Sequence, residues 1–240
     1  MANQDCQICA ACTQDKKLTI LKGNFTPFHP QGFNYKLDSV ESVVNLVKTK
    51  GSVNNTVIFY DDHAIRIIID DSVIDRPKDT GKYPFTSSDQ FDEWESFIGH
   101  PLSQKEFTDF LKRRPHGEVA DVERLLAAVQ KLKLVTSIVG DYQYDDNNNY
   151  TVMFKTSDGE DSAKLPSIIE VTLPLLNESD KTFNIPIELE LNKPKSEDQK
   201  PTFTLECSKI KQFLREATAY EVAKLKEKLP GYLILNGSPS

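Results

Sequence analysis

No apolar stretch in this chain approaches the ~20 residues of a bilayer span, and Met1 to Thr13 reads MANQDCQICAACT, without the basic start or the apolar run expected of a signal peptide. These absences predict a soluble protein that stays in the cytoplasm and has no contact with a membrane. Positive charge is short as well. Lys and Arg number 29 against 36 Asp and Glu, a net charge of -7, the wrong sign for coating a phosphate backbone. Glycine is scarce, at 10 residues, and the sequence holds no Gly-rich phosphate loop, no G-x-S-x-G elbow and no H-E-x-x-H pair. Four cysteines in 240 residues do not make a disulfide framework. What is present is 38% hydrophobic residues beside 27% charged, enough to fill a core.

Residues 1 to 37 carry three cysteines and Pro27 and Pro30 without periodicity, which predicts an irregular lead-in, with a single domain over residues 38 to 240. A division of that domain into two lobes would fall near residues 115 to 134. Asp38-Ser39-Val40-Glu41 has the form of a capping box, and Val40, Val43, Val44 and Val47 follow at helical spacing up to Gly51. Val57 to Tyr60 and Ala64 to Asp70 read as two strands around the polar turn Asp61-Asp62-His63. Three helices should then occupy the middle. One carries Phe91, Trp94, Phe97 and Ile98; the next starts at the capping box Ser103-Gln104-Lys105-Glu106, with Leu102 and Phe107 at hydrophobic-staple positions; the third runs from Asp121 to Lys133.

From Leu134 the period changes to that of strands: Val135 to Tyr144, Tyr150 to Thr156, Ile168 to Leu173, Phe183 to Leu191 and Thr202 to Cys207. The polar connections between them suit antiparallel neighbours. A last helix from Lys209 to Lys228 and a terminal strand, Tyr232 to Leu235, complete an α+β fold: an antiparallel meander of about five strands and an N-terminal hairpin, packed with four or five helices.

Candidate chemistry is thin. Cys6, Cys9 and Cys12 form a C-x2-C-x2-C run whose thiolates could share a metal, with His29 or Cys207 as a fourth ligand only if the fold brings one of them there. Against this stands the reading of reduced thiols on a tail. His63, with Asp62 before it and Asp70 after the strand, could hold a divalent cation and make the chain a metal-dependent enzyme, although a solvated hairpin tip explains the same residues. Glu188 and Glu190 share a strand face, but the Lys that a nuclease site would add two positions on is missing. No catalytic constellation is complete and no cofactor is implied.

Charge is locally polarised instead. Lys105, Lys112, Arg113 and Arg114 form a basic spot which, with Trp94 or Phe107, could stack and hold a nucleic-acid single strand; Lys209, Lys211 and Arg215 at the start of the last helix extend it. The alternative is that these charges are solvated helix faces and the aromatics are core.

The helix from Ser39 to Lys50 leading into TVIFYDDHAIRIIID, the stretch EWESFIGHPLSQKEFTDFLKRR (Glu93 to Arg114) and LPSIIEVTLPLL (Leu165 to Leu176) together resemble the YfdQ-like proteins of bacteriophages and prophages, a family of unknown function. The likeness spans about residues 38 to 235, and Trp94 followed by Ser103-Gln104-Lys105-Glu106-Phe107 is its most distinctive part. No His lies between Tyr83 and Phe91 here, where family members often have a His-containing stretch before the Trp. The resemblance implies a phage or prophage protein in a bacterial cytoplasm, outside the virion, acting by binding a host or phage protein in host-defence antagonism or phage DNA metabolism. It implies no reaction and no catalytic residue.

Overall fold

The computed structural model describes residues 32–72, 77–132, 137–144, 149–156, 159–193 and 200–239. In chain order these hold β1 (Asn34–Lys36), α1 (Val40–Lys50), β2 (Val57–Tyr60), β3 (Ala64–Ile68), β4 (Thr80–Pro84), α2 (Asp89–Glu95), β5 (Leu102–Ser103), α3 (Gln104–Lys112) and α4 (Val122–Lys131). The second half adds β6 (Ser137–Tyr144), β7 (Asn149–Thr156), β8 (Gly159–Pro166), β9 (Ile168–Pro174), β10 (Thr182–Asn192), β11 (Thr202–Glu206), α5 (Ile210–Lys228) and β12 (Leu233–Asn236). The α+β class is the one expected, and no described helix is long and apolar enough to cross a membrane.

The N-terminal hairpin grows into a five-stranded mixed sheet ordered β1-β4-β3-β2-β12. The tip of the β2–β3 hairpin is fixed by the Asp61 carboxylate, which accepts the N–H groups of His63 at 2.8 Å and Ala64 at 2.9 Å. An Asp at the first turn position does this because its side chain reaches the backbone two residues on. α1 lies across one face of the sheet, its Val40, Val43, Val44 and Val47 packed with Ile58, Ile65, Ile67 and Tyr83, with Leu225 of α5 and with Leu229 just after it. Its N-cap is Ser39, whose Oγ accepts the Ser42 N–H at 3.1 Å, one residue later than the capping box expected from Asp38; Asp38 instead accepts from the Ser42 hydroxyl at 2.6 Å.

The meander expected after Leu134 divides in two. β6-β7-β8 form one antiparallel sheet, and β5-β11-β10-β9 form another. The strands that were not expected are β1, β4, β5 and β8. β8 is rich in Gly, Lys, Asp, Glu and Ser and carries little β-propensity of its own, and in β4 the strand formers Thr80 and Tyr83 are interrupted by Gly81 and Lys82 and closed by Pro84. In the middle, the capping box at Ser103 and Glu106 forms as the sequence implies, and Leu102 and Phe107 are both buried. α2 stops at Glu95, so Phe97 and Ile98 sit in the turn that follows rather than on the helix.

Two hydrophobic clusters result. One gathers α2, α3, α4 and both later sheets, from Phe91 to Ala217; the other gathers the five-stranded sheet, α1 and the end of α5. Phe85 packs against both, and α5 passes from one to the other between Ala217 and Leu225, with Glu221 buried between them. The two clusters thus meet at Phe85 and along α5, within one compact unit that spans Gly32–Ser240, and Phe110 and Val152, on either side of residues 115 to 134, share one cluster.

Candidate functional site

Strand alternation gives the five-stranded sheet a second face, opposite α1 and α5. Registers between neighbours place Lys36 beside Lys82, Lys82 beside Arg66, Arg66 beside Phe59 and Phe59 beside Leu235, one row across all five strands. The next row on that face, two residues along, runs Asn34, Thr80, Ile68, Val57 and Leu233. One half of this face is cationic and the other apolar. Val57, Phe59 and Ile68 join neither hydrophobic cluster, and Leu233 and Leu235 stand 51% and 39% exposed. Arg66 is paired with Asp61 at 2.5 Å, whereas Lys36 and Lys82 form no ion pair among the described residues. Burial alone would raise the Asp61 carboxyl, but the Arg66 guanidinium and the two backbone N–H groups of the turn outweigh it and hold it below the ordinary carboxylate range. Like charges directly opposite one another destabilise a sheet, so three adjacent cations break a local rule that the fold does not require.

The basic spot at the end of α3 is built differently. Arg114 has a side chain only 5% exposed, ion-paired to Glu93 and lying 3.6 Å from the carboxylate of Glu118. Its guanidinium sits over the Phe110 ring at 4.4 Å, and its Nε donates to the Phe110 carbonyl at 3.3 Å. Arg114, with Asp89, Gln90, Glu93, Phe97, Phe110, Arg113 and Pro115, lines a cleft of about 360 Å³. Two carboxylates already answer its one charge, so Arg114 braces the cleft and is not free to take a phosphate, contrary to its place in the basic spot read from sequence. Trp94 and Phe107 are buried too, which removes both stacking surfaces. Lys105, Lys112 and Arg113 remain exposed, as do Lys209, Lys211 and Arg215 on and just before α5. None of these six has an ion pair among the described residues, and none has an exposed aromatic residue brought to it by a ring contact there.

His63 and Asp62 are exposed at the hairpin tip, while Asp70 lies beyond the far end of β3, roughly 20 Å away by strand rise, because five strand residues intervene. Asp70 turns its carboxylate to the N–H and hydroxyl of Ser72. His63, Asp62 and Asp70 thus do not converge, and among the described residues no group of three or more His, Cys, Asp or Glu side chains could hold an ion. Cys6, Cys9, Cys12 and His29 lie outside the described residues. Cys207 is buried, and burial pushes its thiol above the usual range. Glu188 and Glu190 project from the exposed face of β10.

The cationic row escaped the sequence reading because Lys36, Lys82 and Arg66 come from three strands, two of which carry no strand signal. Alternation in Val57 to Tyr60 shows no polar side either, so nothing local says which face is open. No family model matches the chain, no curated protein matches it, and no solved structure matches it.

Proposed function

We propose that this chain is a non-catalytic binding protein that docks a protein partner on the open face of its five-stranded sheet. The observation that carries the reading is the row Lys36, Lys82, Arg66, Phe59, Leu235, with Val57, Ile68 and Leu233 beside it. An apolar patch rimmed by charge of one sign is the anatomy of a protein interface, in which desolvated side chains supply affinity and the rim steers approach. The partner it fits presents apolar side chains next to a run of Asp or Glu. Leu, Val and Ile offer bases no stacking surface and Phe59 is the one aromatic in the two rows, which favours protein over a nucleic-acid single strand. The family likeness supports a phage-encoded protein whose partner belongs to host defence or to phage DNA metabolism, in the bacterial cytoplasm.

The test is capture from bacterial lysate by the full chain and by a Lys36→Glu/Lys82→Glu/Phe59→Ser variant, side by side, with and without nuclease. The expected result is a partner retained by the unaltered chain, released as salt rises, and lost with the variant. Equal retention by both chains would sink the proposal. Retention that nuclease abolishes would transfer the face to nucleic acid.

A further inference from the structure

Sheet edges expose unpaired backbone groups, and proteins blunt them with charge, proline, bulges or a covering element. Every other described edge strand here is blunted. β1 is three residues long and holds Lys36. β6 contains Asp141 and an irregular register between Val139 and Gln143, and β8 contains Asp161, Lys164 and Pro166. β9 is closed by the Val119–Val171 bridge, where Ala120 donates to the Glu170 carbonyl at 3.0 Å and Thr172 to that of Glu118 at 2.7 Å. β5 has two residues and runs directly into α3. β12, by contrast, reads Leu233-Ile234-Leu235-Asn236, with neither charge nor proline, and no described strand lies on its outer side.

Its parallel ladder with β2 fixes which groups are free. Gly237 donates to the Tyr60 carbonyl at 2.8 Å, and in a parallel pair only alternate residues bond to the neighbour. Leu233, Leu235 and Gly237 therefore face β2, and the N–H and C=O groups of Ile234 and Asn236 point outward. We infer that this edge pairs antiparallel with β12 of a second copy of the chain, about a two-fold axis at Ile234. Ile234 then exchanges both its hydrogen bonds with its own counterpart, and each Asn236 N–H donates to the Tyr232 carbonyl across the axis, about four backbone bonds in all. On the open face each Leu233 meets the other copy's Leu235, apolar on apolar. The cations fall on the outlying strands, so the two Arg66 side chains stand roughly 24 Å apart, beyond the screening length, and do not repel. The pairing rests on edge geometry and also joins the two apolar half-faces into one surface flanked by cations at both ends.

Sedimentation of the full chain under reducing conditions, over a wide concentration range, tests this. The expected result is a species of twice 27.2 kDa. Asn236→Pro, which removes an outward N–H, and Leu235→Lys, which sets a charge against Leu233 of the other copy, should each weaken association about tenfold or more while unfolding is unchanged; Lys82→Glu should leave the mass as it was. Amide exchange at Ile234 and Asn236 should slow as concentration rises. A monomer at every concentration overturns the inference, and so does a dimer that both β12 variants leave intact. Asn236→Pro keeps Lys36, Lys82 and Phe59, so partner capture by that variant separates failure of this pairing from failure of the docking face.

Discussion

Trp94 donates its indole N–H to Glu118 Oε1 at 2.7 Å, tying α2 to a loop whose backbone is already fastened to the edge of β9. The same carboxylate faces Arg114, and its other oxygen, Oε2, is buried without a hydrogen-bond partner among the described residues. Arg114→Leu should therefore strand a buried negative charge and cost about 3–5 kcal/mol, while Trp94→Phe should cost about 1–3 kcal/mol through the lost hydrogen bond. Because the residues share one network, Arg114→Leu combined with Glu118→Leu should cost less than the sum of the single changes. Urea unfolding followed by circular dichroism reads all of these; strictly additive losses would show that Arg114 and Glu118 act independently.

Ser103 closes the start of α3 by accepting the Glu106 N–H at 3.2 Å, and Glu106 returns the bond to the Ser103 N–H at 2.8 Å. Ser103→Ala should cost about 0.5–2 kcal/mol, and Ser103→Asp should restore most of it, since either oxygen can cap. Paired thermal melts of the two variants provide the check.

Tyr83 lies on the covered face of the five-stranded sheet, and burial, with Glu221, Glu178 and Asp38 adding negative charge, pushes its phenol up to about 12 from 10.0. A proton held more tightly in the folded state contributes stability below the unfolded value that is lost as pH climbs through the folded one. Stability should thus fall between about pH 10 and 12, and Tyr83→Phe should flatten part of that fall. Ultraviolet difference titration should show Tyr83 ionising after the exposed tyrosines; a Tyr83→Phe profile identical to that of the unaltered chain would contradict this.

Cys207 sits at the end of β11 with its thiol raised by burial, only partly offset by the backbone N–H of Lys209. Since the thiolate is the reactive form, alkylation at neutral pH should leave the Cys207 peptide unmodified until the chain is unfolded. Mass mapping of the modified peptides decides it, and rapid labelling of Cys207 in the folded chain would overturn the prediction.

Much of the local structure was legible in the residues themselves. The valine stripe of α1, the Ser103 capping box and the Asp61 turn all depend on groups four residues apart or fewer, and each formed where its pattern stood. Arg114 shows where that reading stops. As a sequence position it is one of four neighbouring cations; in the fold, Glu93 and Glu118 close on it from α2 and the following loop, and burial turns a surface charge into a strut. His63 and Asp70 show the converse, near in sequence and held apart by an extended strand.

The sequence by itself determined the α+β character, the presence and order of the described helices, and most interior residues of the amphipathic elements, because period, capping and turn chemistry act within one or two turns of chain. Only the tertiary structure decided which side of Val57 to Tyr60 is covered, that β12 returns to lie parallel to β2, and that Lys36, Lys82 and Arg66 come into line. Strands of uniform polarity carry no mark of their inner face, and pairing between distant segments is set by the burial it completes, a quantity that exists only once the chain has closed on itself.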